Sequence, residues 1–271
     1  MNKKNVLFII GIILLLIPVV LGLTSFFYTP HPPNTMNVAN RMQYPSMEHL
    51  LGTDQFGRDI LSRIMVSSRY ALFIGITSVF FGSIMGVMLG ALGAISKGIL
   101  RGLIMRMIDG LMAFPGVLLA MMFVAALGEG IWNTILAISI FMVPVFARLS
   151  YSLVLEQQDK LYIKAAKTYG VKPLRMIYKH YLPAITPRIV TQFSASIGGA
   201  ILTESSLSFL GLGVQPPNAS WGLMLNEAQQ YMLTFPYLTV PSGVILMMTV
   251  LGFNLVGDQL NDLLVRRKGR N

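Results

Sequence analysis

The sequence predicts an all-α polytopic membrane protein with six transmembrane helices. Three observations predict it. Hydrophobic residues make up 54% of the chain and charged residues only 12%, about half the ~25% charged fraction usual in soluble domains. The apolar residues come in long uncharged runs. The Lys and Arg residues between those runs fall predominantly on one side of the expected membrane.

A hydrocarbon core of ~30 Å needs about 20 apolar residues as a helix. Residues 6–27, 70–96, 110–128, 130–147, 189–203 and 228–257 contain no Asp, Glu, Lys or Arg, and each is taken as one span. The fifth is short unless it runs to about Leu207, which brings Glu204 in near its end. The fourth is also near the lower limit of length, so five spans is the competing count. The first run follows "MNKKN" and resembles a signal peptide at first sight. It exceeds the ~7–15 residues of a signal core and lacks a clear small-residue cleavage site, so a retained anchor is expected.

With both termini on the cytoplasmic side, 17 of the 21 Lys and Arg residues are cytoplasmic and only Arg41, Arg58, Arg63 and Arg69 lie outside. The formal net charge of +10 is thus an orientation signal rather than a nucleic-acid footprint, and no nucleic-acid partner is expected. Residues 151–188 form the longest cytoplasmic loop. Their seven cations at ~2.5–3.5 kcal/mol each would cost on the order of 20 kcal/mol at mid-bilayer.

Between the first two spans, residues 28–69 form an extracytoplasmic segment that opens with "YTPHPPNT" and contains "HLLGTDQFGRDILSR". Asp54 and Arg58 can pair there, at the few tenths of a kcal/mol of an interfacial turn. The second span places Ser78, Gly82, Gly86 and Gly90 at every fourth position. Such a stripe of small residues lets another helix approach closely, so packing is expected there ahead of a direct pathway role. Pro115, Pro144, Pro236 and Pro241 lie in or beside helices and favour kinks. Glu204 is the one acid in an apolar context. It is either a pathway or gate residue or a structural bond to the polar loop that follows, "ESSLSFLGLGVQPPNASWGLML".

Several chemistries are absent from the sequence. There is no cysteine, hence no disulfide or thiolate metal site. No G-x-x-x-x-G-K-[ST] loop, H-E-x-x-H or G-x-S-x-G occurs, so neither ATP hydrolysis nor a recognisable catalytic centre is expected in this chain. His31, His49 and His180 are scattered, no Asp/Glu/His group has metal-ligand spacing, and no metal or catalytic residue is assigned. The 18 Met residues read as packing.

The loop carries the signal. Tyr162, Ala165, Ala166 and Tyr169 fall at helical spacing, and Leu174, Ile177, Tyr178 and Tyr181 repeat it. Gly170 suits a left-handed helix end and Pro173 a first helical turn. Two short amphipathic helices joined by a tight turn and ending at Leu182–Pro183 are expected. Pieces this short are marginal alone in water, so their apolar faces need a membrane surface or a protein to cover them.

These residues resemble a known family. Glu-Ala-Ala, three residues, Gly, nine residues, Ile, one residue and Leu-Pro is the general form of the coupling segment in permease subunits of ABC importers. Ala165, Ala166, Gly170, Leu182 and Pro183 match it, while Lys164 stands in place of the Glu and His180 in place of the Ile. "LGTDQFGRDILSR", "SFLGLGVQPP", "SWGLML" and "FNLVGDQLND" are similar to stretches of the peptide and nickel branch of that family. The resemblance spans residues 50–262.

The resemblance implies a type I importer permease fold with cytoplasmic coupling helices, located in the bacterial cytoplasmic membrane. Residues 1–69 would be the anchor and extracytoplasmic segment, 70–264 the permease core and 265–271 a basic cytoplasmic tail. It implies a second, homologous permease, two cytoplasmic ATPases that bind ATP and Mg²⁺, and an extracytoplasmic binding protein, with membrane lipid around the chain. No cofactor is expected in the chain itself. The cargo would be small peptides, nickel or metal-chelate complexes. An ATP-independent secondary transporter or channel is the alternative, disfavoured by the lack of a visible repeat or intramembrane charge relay.

Overall fold

Long apolar runs leave the backbone no hydrogen-bond partner in lipid except itself, so they fold as helices. The computed structural model describes residues 3–268, with side chains for 6–260. Among the described residues there is no β-strand, only an isolated bridge between Thr53 and Asp59.

The first helix, α1 (Lys3–Thr24), lies against the last, α10 (Val240–Lys268). Gly11 and Gly252 sit at that contact: a Cβ on Gly11 would come 2.9 Å from Leu255 Cβ, and one on Gly252 2.8 Å from Leu15 Cγ. The second helix, α2 (Ile60–Ile95), is 36 residues long, about 54 Å at 1.5 Å per residue. It therefore extends well beyond the hydrocarbon core. Its start at Ile60 places the expected boundary at residue 69/70 inside a helix. Asp59 caps it, its carboxylate accepting from the Ser62 N–H.

The third expected span is not one helix. Residues Gly98–Met112 form α3 and Gly116–Leu127 form α4, with a 95° bend between them. Pro115 lacks an N–H to continue the ladder and its ring disfavours helical geometry at Phe114. The next helix, α5 (Ile131–Gln158), carries Pro144 within it and continues past the apolar run through Arg148. The expected loop 151–188 is accordingly narrower. Its first residues extend α5, and its last open α8 (Leu182–Phe209). Only 159–181 lie between the two helices, and these contain α6 (Leu161–Thr168) and α7 (Pro173–Met176). After α8 come a turn-rich loop and α9 (Trp221–Ala228). The sixth run is helical only from Val240, because 229–239 fold as two short 3₁₀ turns around Pro236.

Among the described residues four helices are long and apolar enough to cross a membrane, α1, α2, α5 and α10, and counting the bent α3–α4 pair as one broken span makes five. Two of the six spans expected from the sequence do not meet that test as single helices, so the count of six is not matched exactly. One is broken at Pro115. The other, α8, has 28 residues, but it is diluted by Thr, Ser and Gln along with Arg188 and Glu204. It packs between α2 and α10 all the same. Of the expected basic tail, 265–268 continue α10 and 269–271 lie outside the described residues.

The most extensive contact is α2 on α5. Ser78, Gly82, Gly86 and Gly90 face it and are buried. A Cβ on Gly82 would come 2.6 Å from Met142 Cβ, one on Gly86 2.5 Å from the Val143 carbonyl oxygen, and Gly90 presses on the Ala147 carbonyl. Backbone meets backbone, and two side chains bond across it: Ser150 Oγ donates to the Val87 carbonyl and Gln158 Nε2 to that of Ala94, both at 2.9 Å. A leucine at Gly86 has to displace a main chain that cannot retreat, at a cost of roughly 1–3 kcal/mol or more. Gly86→Leu is expected to abolish recovery of monodisperse protein in size-exclusion chromatography. Gly102→Leu, where a Cβ would meet nothing within 4 Å, is expected to be recovered normally.

Candidate functional site

The segment between α5 and α8 is built by local rules. Lys160 precedes α6, and Gly170 ends it at φ +72°. The Gly170 N–H donates to the Lys167 carbonyl and the Val171 N–H to that of Ala166, the paired bonds of a Schellman cap. Pro173 begins α7, where its missing N–H costs nothing. The chain does not stop at Leu182–Pro183 as expected. It runs through a π-helical turn, Ile177–Tyr181, straight into α8. The Leu182 N–H reaches back to the Ile177 carbonyl, and Pro183 then falls in the first turn of α8, where a proline is tolerated.

The buried stripe matches the expected one at Ala166, Ile177 and Tyr181 and differs elsewhere. Ile163, Ala166, Met176, Ile177 and Tyr181 are buried, forming a cluster with Ala91 and Ala94 of α2, Leu153 and Val154 of α5, and Ile185 of α8. Of the residues expected on the apolar face, Tyr162, Ala165, Tyr169, Leu174 and Tyr178 remain exposed, Tyr169 at 88%. Leu161 is exposed beside them. Periodicity alone could not rank two overlapping apolar arcs on so short a helix. Lys164, Gly170 and Pro183 are exposed, and His180 and Leu182 are half-buried. Lys164 Nζ lies 3.5 Å from Asp159 in an open ion pair, worth little in water.

Behind this element is a cavity of about 320 Å³ whose lining includes Lys97, Arg101, Lys167 and Tyr181, and no acid. Tyr181 is buried with its hydroxyl unpartnered, and burial, with Tyr162 nearby, raises its pKa. The element therefore presents an aromatic, cationic outer surface while its inner face is packed into three long helices.

Glu204 is fully buried in the last turns of α8. Its carboxylate accepts from Ser208 Oγ at 2.7 Å and Ser205 Oγ at 3.2 Å, and Ser208 Oγ in turn accepts from the Val214 N–H at 3.0 Å. Gly222 of α9 presses on the Ser205 carbonyl. The acid thus sits at the root of the loop between α8 and α9.

A second charged group assembles at the N-terminal end of α2, and only its Asp54–Arg58 pair has a local signal in the sequence. The Asp54–Arg58 pair expected as an interfacial turn contact is buried, with Nε to Oδ2 at 2.6 Å. Arg58 also bonds Glu227 of α9 at 2.6 Å, and Arg63 lies 3.7 Å and 3.6 Å from the same two acids. Glu227 is 169 residues from Arg58, so only the tertiary fold reveals the pair. Two of the three histidines expected to be scattered also meet here: the rings of His31 and His49 have centroids 4.4 Å apart.

These elements make a helical bundle with membrane-spanning helices and a packed helical element between α5 and α8. The pattern of the family described as "binding-protein-dependent transport system inner membrane component" matches residues 78–270. The chain belongs to that family. It is 44% identical over 220 residues to the glutathione transport system permease protein GsiD of Pectobacterium atrosepticum, covering 81% of this chain and 73% of that one. It is 39% identical over 262 residues to the dipeptide transport system permease protein DppC of Alkalihalophilus pseudofirmus, covering 97% and 86%. Its fold resembles that of the MetNI methionine ABC transporter in an inward-facing conformation, with a TM-score of 0.59 at 17% identity over 72% of this chain and 93% of that one. The chain is thus an ABC-importer permease.

Glu204 is tested by changing what it accepts. Glu204→Gln keeps an oxygen for Ser208 and is expected to leave thermal stability and uptake near normal. Glu204→Leu strands both serine hydroxyls and should cost about 1–3 kcal/mol, read as a lower melting temperature. Lost uptake in a stable Glu204→Gln protein would instead place the acid on the pathway.

Proposed function

We propose that this chain is one of two permease subunits through which an ATP-driven importer moves short peptides across the cytoplasmic membrane. The peptide assignment draws on the dipeptide and glutathione systems to which its relatives belong. They favour it over the nickel or metal-chelate cargo that the sequence resemblance also allows. In this reading ATP and Mg²⁺ are bound by two partner ATPases on the cytoplasmic side, and a binding protein delivers cargo from the other. An ATP-independent carrier or channel is the reading it displaces.

The observation that carries the proposal is the two-sided element at 159–181. Its exposed Leu161, Tyr162, Tyr169, Leu174 and Tyr178 offer an apolar surface for a cytoplasmic subunit. Its buried Ile163, Ala166, Met176, Ile177 and Tyr181 are wedged among α2, α5 and α8. A closing motion of the ATPases that displaces this element has no soft layer to dissipate in, because packed interiors rearrange between discrete states. The kinked α3–α4 pair and the proline-bearing α5 are the elements able to change shape in response. Lys164, where the family has Glu, would meet the ATPase with the opposite charge, so its contact there must differ from the family's.

Orientation is checked with a reporter active only outside the cytoplasm. Fusions at Asn34 and Asn218 should be active, and those at Lys172 and Asn271 silent. Activity at Lys172 would place the element on the wrong side for an ATPase.

Coupling is checked at Gly170. Nothing lies within 4 Å of a Cβ there, so the cost of a side chain is purely conformational, about 1–2 kcal/mol for a residue forced into left-handed geometry. Gly170→Val should open the cap and misalign α6 and α7. Insertion and pairing with the second permease should survive, while co-purification of the ATPases weakens and uptake is lost. Lys167→Ala should have much less effect. Normal uptake and ATPase recovery with Gly170→Val would leave the element a lipid-surface role only.

A further inference from the structure

The cavity behind the element at 159–181 gathers cations to which the chain gives no acid. Lys97 and Arg101 come from the start of α3 and Lys167 from the last turn of α6, and all three line it. The acids on the neighbouring helices are paired elsewhere: Asp109 with Arg148, Glu156 with Arg188 and Asp159 with Lys164. Among the described residues none of the three lining cations has an acid partner. Arg101 donates to the Tyr151 hydroxyl of α5 and lies over that ring, which fixes its position without neutralising its charge.

Two further features favour an anion there. Tyr181 is part of the same lining, is 1% exposed, and its hydroxyl has no partner. A buried hydroxyl left unpaired is a standing cost that a ligand oxygen would remove. Helix α3 begins after Lys97 with no side-chain cap, so the N–H groups of its first turn add the positive end of a helix to the same wall. At about 320 Å³ the cavity falls at the lower end of the roughly 300–1,000 Å³ usual for ligand pockets.

We propose that this cavity binds a phosphate group, carried either by an anionic membrane lipid or by a soluble phosphate. A planar guanidinium holds two phosphate oxygens in a fork, and the two ammonium groups act on the rest as point charges. A carboxylate offers one charge and two oxygens to these donors. A phosphate monoester offers about −1.5 to −2 charge and three acceptor oxygens, a closer match to three cations and a phenol. Basic pockets between helices at a membrane face suit lipid headgroups. Ile99, Leu100 and Leu103, exposed on the helix that carries Arg101, give acyl chains an apolar surface beside it. The bound group would bridge the start of α3 to α6, bracing the element at 159–181 against the bundle. It does not depend on which cargo the importer carries.

The test uses the full-length chain purified in detergent and freed of bound lipid. Inorganic phosphate should raise its melting temperature saturably, and sodium chloride at matched ionic strength should not. Phosphatidylglycerol, but not phosphatidylcholine, should stay on the chain in native mass spectrometry and abolish the phosphate response. Retained phosphatidylglycerol identifies a lipid as the source, and a phosphate response without it identifies a soluble phosphate. Lys97→Gln combined with Arg101→Gln, both at exposed positions, should fold normally and lower the affinity at least tenfold. Tyr181→Phe should lower it severalfold while leaving the ligand-free melting temperature unchanged, because the hydroxyl has no partner to lose. Arg175→Ala, an exposed cation of α7 outside the lining, should bind as the parent does. The proposal is overturned if neither phosphate nor phosphatidylglycerol binds saturably, or if the double variant binds as tightly as the parent. It is also overturned if Arg175→Ala weakens binding as much as the double variant, since surface charge alone would then hold the anion. The readout is binding to the isolated chain, so its failure and a failure of uptake or ATPase recovery are independent results.

Discussion

The close approach of α2 and α5 is the constraint on which the rest of the molecule hangs. In lipid there is no hydrophobic drive between helices, so association depends on how near the two backbones come. The stripe of Ser78, Gly82, Gly86 and Gly90 removes the side chains that would hold them apart, and the carbonyls of Ser139, Val143 and Ala147 fill the space. Once these axes are fixed, so are both ends of the pair. At one end Ala91 and Ala94 meet Leu153 and Val154 and form the floor on which α6 and the π-helical turn rest. At the other end Arg58, just before α2, and Arg63, in its first turn, face Glu227.

The two ends use different physics. The element at 159–181 is held by apolar packing and by backbone caps. The opposite end is held by buried charges. Arg58 and Arg63 lie among Asp54 and Glu227 with little solvent, and breaking one partner of such a group typically costs about 3–5 kcal/mol because the remaining charge stays buried. That network ties the segment between α1 and α2 to α9, while Glu204 and Ser208 tie α8 to the loop leading there. One end is therefore held by apolar packing and backbone caps, the other by buried charge.

Much of this was legible in the linear chain. The stripe on α2 could be read because a four-residue period is set by the helix itself. Gly170 and Pro173 could be read because each answers a local backbone demand, a positive φ and a first-turn position without a donor. The limits were equally local in origin. Uncharged runs do not distinguish one straight helix from the bent α3–α4 pair, since Pro115 permits either a kink or a break. The buried face of α6 was read only in part: Ala166 lies on it as expected, but Ile163 takes the inner arc in place of Tyr162 and Tyr169, and only the neighbours decide between them.

By itself the sequence determined the helical, membrane-embedded class, the family and the position of the interrupting element, because hydropathy, helical period and turn chemistry act over a few residues. Tertiary structure alone decided which residues that are distant in sequence share a site. Arg58 meets Glu227 across 169 positions, and His31 meets His49 across a turn-rich segment with no period to follow. Charge pairs and neighbouring rings leave no spacing rule in the chain. Their partners are chosen by where the helices end in space, and that is set by packing.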